Sequence, residues 1–151
     1  MTRLAHVSAE EVAKYGPSAK LWALMEHVAR DPSNALPVLR SIWLIWAYDA
    51  EVNNGGHLQY FHNQGLSDVP ATVNALREVG AEEHARLLEA CWAAVRLAPV
   101  SRVGTLEEYA EIARTRSFKA EDRAFYSLSS AVDMLVQHKE AVLDELVEVE
   151  G

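Results

Sequence analysis

The chain has 151 residues, 50% of them apolar and 24% charged. This single-domain globular composition excludes a disordered tail, a collagen-like repeat and a disulfide-stapled miniprotein. Acids outnumber Lys and Arg 22 to 14, for a formal charge of −8, which argues against direct binding of nucleic acid through its phosphates and suits a basic partner or simply solubility.

The opening stretch from Met1 to Glu11 holds no apolar run of the signal-peptide kind. Pro17 opens a first predicted helix through Arg30, with Leu21, Leu24, Met25 and Val28 on one face. Asp31-Pro32-Ser33-Asn34 reads as a turn, and Pro37 fits the first turn of a second helix, where its missing N–H costs nothing. That helix, to about Val52, is apolar or aromatic on every side from Ile42 to Tyr48. Such a helix is expected at the centre of the core, surrounded by others. Ile42 to Ala47 is far shorter than the ~20 residues of a membrane span, so a cytoplasmic protein with no membrane partner is expected.

Asn53-Asn54-Gly55-Gly56 ends the central helix, and a short helix from about His57 to Gln64 is stopped by Gly65. Asp68 and Pro70 start another, to Gly80. Ala81 to Leu97 follows as a long amphipathic helix with Ala81, Ala85, Leu88, Cys91, Trp92 and Val95 inside. Cys91, the single cysteine, cannot form an internal disulfide and reads as a small core residue. Thr105 is a helix cap with Glu108 in capping-box position. The last stretch carries Phe125, Leu128, Val132, Leu135, Lys139, Val142, Leu146 and Val149 in an alternating 3,4 seam broken by Lys139. It reads as one long helix, or two with the break near Gln137-His138-Lys139. No strand pattern stands out. The expectation is all-α: one compact domain spanning 1–151, six to eight helices around a buried central helix.

The most distinctive segment runs from Asp49 to Gly65. Its amides, Asn53, Asn54, Gln59 and Asn63, suit the unpaired backbone groups of a tight helix–helix corner. Gly55 and Gly56 permit a sharp bend, and Tyr60 and Phe61 would anchor the short helix. A small-molecule pocket is the alternative, with Glu51 and His57 as an acid–base pair if they converge. His57 and His62 are five apart, roughly 140° around a helix, and the other histidines are scattered, so no metal site is expected. No phosphate loop, Cys-x-x-Cys or Gly-x-Ser-x-Gly occurs. No cofactor and no catalytic residue is assigned.

Glu51-Val52-Asn53-Asn54-Gly55-Gly56 followed by Gln59-Tyr60-Phe61-x-Asn63 resembles the signature of a bacterial all-helical domain family of mostly unknown function, whose best-known relative is a DNA-mimic protein. Asn54, Gly55, Gly56, Gln59, Tyr60, Phe61 and Asn63 match the usual motif. His57 stands where Phe is usual. The resemblance extends over about 37–148 and implies an α-helical fold and a homodimer. In the mimic relative an acidic surface occupies a transcription factor's DNA-binding face.

From Asp133 to Gly151 there are six acids and one base. Glu140, Asp144 and Glu148 are four apart, which on a continuous helix makes a carboxylate stripe ~6 Å apart. Asp133 and Glu145 add to it, and Glu107 and Glu111 repeat the spacing upstream. Like charges at this spacing repel by ~0.2–0.5 kcal/mol per pair, and acids at a helix C-terminus oppose its dipole. A solvated face is the plain explanation; a surface for a basic protein, such as a DNA-binding protein, is the sharper one. The functional expectation is an acidic protein–protein interaction module acting as a DNA mimic, with an immunity-type neutraliser of a basic toxin, or small-molecule binding at the Glu51–Asn63 corner, as alternatives. The Leu and Val seam would hold the stripe in place or form a dimer interface.

Overall fold

A computed structural model describes residues 3–31, 37–97 and 118–151. The first elements are a strand β1 (Ala5–Ser8), a helix α1 (Ala9–Tyr15) and a helix α2 (Ser18–Arg30). Neither β1 nor α1 is in the sequence expectation, although Ser8 and Glu11 form a capping box. The Glu11 amide donates to the Ser8 hydroxyl at 3.1 Å, and the Ser8 amide donates to the Glu11 carboxylate at 3.3 Å. Helix α2 buries Leu21, Leu24 and Met25, as its periodicity predicts, and Ala19 besides, while Val28 is half-buried.

Helix α3 (Pro37–Gln64) is the two expected helices run together across a kink at Gly55 and Gly56. Its first half is the centre of the core, where Ile42, Ile45, Tyr48 and Val52 have no exposed surface. It is not covered on every side, however: Trp43 and Trp46 are only half-buried. Helices α4 (Val69–Glu78) and α5 (Glu82–Leu97) follow, with Ala85, Leu88, Cys91 and Val95 of α5 buried. The helix expected after Thr105 lies outside the described residues, as do Glu107 and Glu111.

The long last element is divided. Helix α6 (Lys119–Ser127) ends at Leu128, which is extended; α7 (Ala131–His138) starts at the Ser130 cap; α8 (Glu140–Leu146) begins after Lys139; and β2 (Val147–Glu150) closes the chain. The break at Lys139 is the expected one. The break at Leu128–Ser130 and the final strand correct the expectation of a continuous seam. The physical reason for the strand is its partner. Val147-Glu148-Val149-Glu150 alternates with period two, and it pairs in parallel with β1, Ala5 opposite Val147 and His6 opposite Glu148. Ala5, Val7 and Val147 enter the core on the shared face. Among the described residues the fold is eight helices with this one two-stranded ribbon joining the chain's first and last elements, an all-α domain as expected. No described helix is long and apolar enough to cross a membrane.

Of the seam residues, Phe125, Leu135 and Leu146 are buried in the chain's own core, Leu128, Val132 and Val142 are half-buried, and Val149 is exposed. Lys139, the polar break, has its ammonium 2.6 Å from Glu78 of α4. Its side chain is largely buried while its head finds a carboxylate.

Candidate functional site

The corner is built around the discontinuity in α3. Gly56 has φ 79°, ψ −178°, a conformation that side-chain-bearing residues avoid. A Cβ placed there would lie 2.4 Å from the Asp122 carboxylate. The missing side chain is therefore what lets α6 approach the bend.

Two residues one turn apart on α6 complete the bend from opposite sides. The Asp122 carboxylate accepts from the His57 backbone N–H at 2.9 Å, satisfying a donor that the broken helix leaves without an intrahelical partner. The Tyr126 hydroxyl donates to the Val52 carbonyl at 2.8 Å, satisfying an acceptor on the other side of the break. Glu51 makes a third bridge. Its carboxylate accepts from Gln59 at 3.1 Å and from Asn63 at 2.7 Å, tying the second half of α3 back to the first. Asn53 turns its amide to the Asp49 carbonyl at 2.8 Å.

His57 is fully buried and bonded at both ring nitrogens. Its Nδ1 lies 2.7 Å from Asp122 and its Nε2 lies 2.7 Å from the Tyr48 hydroxyl. A carboxylate only accepts, so Nδ1–H donates to Asp122; in the neutral ring Nε2 then accepts from the Tyr48 O–H. Burial, reinforced by neighbouring ionisable groups, holds the Tyr48 phenol well above its ordinary range, so that proton stays on the hydroxyl. The ring also meets Phe125 edge-on at 6.0 Å and Phe118 at 6.5 Å. His57 thus serves as an aromatic core contact that also makes two side-chain hydrogen bonds.

The acid–base pair considered from the sequence does not form. Glu51 is held by Gln59 and Asn63, whereas His57 is held by Tyr48 and Asp122. Gly55 and Gly56 form the bend, and Tyr60 and Phe61 are buried, as their anchoring role requires. Asn54 is exposed. Sequence reasoning missed Tyr48, Asp122 and Tyr126. The i,i+4 spacing of Asp122 and Tyr126 was visible, but its partners lie 65 and 74 positions away.

Beside the corner is a small cleft of about 150 Å³, lined by Asp49, Asn53, His84, Phe125, Tyr126, Leu128, Ser129 and Ser130. Burial raises the Asp49 carboxyl above its usual range; the Asn53 hydrogen bond opposes that shift and the Asp133 charge adds to it. Burial lowers His84, against a backbone hydrogen bond at Ser129. Among the described residues no cluster of three or more His, Cys, Asp or Glu could hold a metal ion. Cys91 is buried, and burial pushes its thiol far above the usual range, so no thiolate forms there.

The acids of the last segment are exposed but do not form one helical stripe. Glu140, Asp144 and Glu145 are on α8 and Asp133 is on α7, while Glu148 is on β2. Four-residue spacing is a helical neighbour relation only for Glu140 and Asp144. Because α8 ends at Leu146, the expected clash with the helix dipole falls on Glu145, while Glu140 is in the favourable first turn. Asp144 is ion-paired with Lys20 of α2. His6 stands 3.5 Å from Glu148 and 3.1 Å from Glu150.

No curated protein and no solved structure matches the chain. A family model does, that of the DMP19-like proteins, over residues 34–145. The matched span holds the central helix, the glycine bend and the Asp122 and Tyr126 side chains that complete it; it is most of the chain, and the protein belongs to the DMP19-like family.

Proposed function

We propose that this protein is a DNA mimic: an acidic module whose carboxylates stand in for phosphates on the basic surface of a DNA-binding protein. The observation that carries this reading is membership of the DMP19-like family, together with the −8 charge. All six acids from Asp133 to Glu150 are exposed. Glu140, Glu145, Glu148 and Asp133 carry the recognition. Asp144 belongs less to it, because Lys20 neutralises it. The corner from Glu51 to Asn63 is the scaffold, its carboxylate and amides turned to one another.

Electrostatic recognition of this kind is screened over about 10 Å at 0.1 M salt. The full-length protein, immobilised, captures its partner at low salt and releases it to added salt and to competing duplex DNA. The variant Asp133→Asn/Glu140→Gln/Glu145→Gln/Glu148→Gln weakens capture and flattens the salt dependence. Capture undiminished by that variant, or indifferent to duplex DNA, rejects the mimic.

A further inference from the structure

Helix α2 presents Trp22, Met25, Glu26 and Ala29 at helical three-and-four spacing, and α3 presents Trp43 and Trp46 one turn apart. Between the two helices these six residues line an open groove of about 460 Å³, within the size range of ligand-binding depressions. Three of the chain's four tryptophans are therefore gathered in one place. Trp22 is 40% exposed, and Tyr15, whose ring centroid lies 5.3 Å from that of Trp22, continues the aromatic surface. A cluster of large exposed aromatics marks an interaction site more often than isolated apolar residues do.

The chemistry of the lining selects the occupant. Glu26 is the one charged residue among the six. It is exposed, and its contact with Arg30, at 3.8 Å, is a solvated pair one turn along the same helix, of the sort that holds neither partner firmly. Indole faces attract cations, and attract guanidinium in particular, because it is planar and weakly hydrated. The chain uses this contact internally: Arg96 lies 3.9 Å from the Trp92 ring centroid. Among the described residues, no cation of the chain lies over Trp22, Trp43 or Trp46. A carboxylate among the indoles that line this groove, on a protein of charge −8, is complementary to a cation on an apolar stem.

We infer that this groove docks an arginine-bearing amphipathic segment of a partner protein. The guanidinium stacks on the indoles and pairs with Glu26, while apolar neighbours cover Ala29 and the exposed part of Trp22, in the manner of a helix laid into a groove. The surface is distinct from the C-terminal acids. Lys20, which meets Asp144, is two positions from Trp22 and so on nearly the opposite side of α2. The two surfaces therefore succeed or fail separately.

The test uses the full-length protein, isotopically labelled so that its four indole N–H signals are resolved by NMR. The probe is a short leucine–alanine helical peptide with one central arginine; the control peptide carries citrulline, its neutral isostere, instead. The arginine peptide shifts the signals of Trp22, Trp43 and Trp46 and leaves Trp92 in place. The citrulline peptide binds about fivefold more weakly or worse, and Glu26→Gln weakens arginine-peptide binding part of the way to the citrulline level, the stacking on the indoles remaining. Trp22→Ala and Glu26→Gln are surface changes, and thermal melts confirm that both variants fold. Equal binding of the two peptides overturns the inference, as does the absence of groove shifts at about 1 mM peptide. Self-association in sedimentation that Trp22→Ala abolishes also overturns it, by assigning the groove to a second copy of the chain.

Discussion

Replacing His57 by Phe keeps an aromatic ring at the corner and tests whether the buried hydrogen bonds stabilise it or merely accompany it. The change removes the Nδ1–H donor to Asp122 at 2.7 Å and the Nε2 acceptor for Tyr48 at 2.7 Å. Asp122 keeps the His57 backbone N–H. Losing the charge-assisted bond costs about 1.5–3 kcal/mol, and leaving the buried Tyr48 hydroxyl unpaired costs about 1–3 kcal/mol. Better apolar packing of Phe against Phe118 and Phe125 returns about 1 kcal/mol. The net expectation is a loss of about 2–4 kcal/mol in urea unfolding, with an unchanged m-value. In a domain of this size each kcal/mol lowers the melting temperature by about 2–4 °C. Adding Tyr48→Phe removes the stranded hydroxyl, so the double variant is more stable than the sum of the single losses predicts, by about 1–2 kcal/mol. If His57→Phe unfolds within about 0.5 kcal/mol of the parent, or the two losses simply add, the hydrogen-bonded account of the corner is wrong.

Gly56→Ala introduces a Cβ 2.4 Å from the Asp122 carboxylate at a positive φ; it costs more than the ~1 kcal/mol of an ordinary glycine-to-alanine conflict and displaces α6, seen as lost protection of the His57 amide in hydrogen exchange. The Asp49 carboxyl is raised by burial, so the unfolded chain releases this proton first as pH rises. Its contribution to stability is largest below about pH 4 and falls as pH climbs through the raised value, and Asp49→Asn melts higher at pH 7 with the gain vanishing in acid. His84 works the other way: burial depresses its imidazole, stability falls as pH drops below about 6.5, and His84→Phe flattens that fall in thermal melts from pH 7 to 5. Cys91, buried with a raised thiol pKa, is modified by a thiol reagent only at the rate of global unfolding; rapid labelling of the native protein contradicts its core assignment.

Local features made much of the fold legible in advance. Pro17 and Pro37 mark helix starts, Gly65 and Gly80 mark ends, and the spacing of Leu21, Leu24 and Met25 gives the buried face of α2. The glycine bend and its amides were legible as a corner because short-range geometry dictates which residues tolerate such a turn. What completes the corner was not legible. Asp122 reaches His57 across 65 positions, and Lys139 finds Glu78 across 61. Likewise β1 and β2 are four residues each, too short for alternation to be distinguished from the neighbouring helical pattern until pairing makes them strands. The acidic spacing at the end of the chain reads as one helical stripe because nothing local reveals that Val147 leaves the helix to meet Ala5. Caps, bends and faces are decided within a few residues by backbone sterics and amphipathic period, so the amino-acid order determines them; partners across the core are decided by which helices pack together, and only the assembled tertiary structure fixes that.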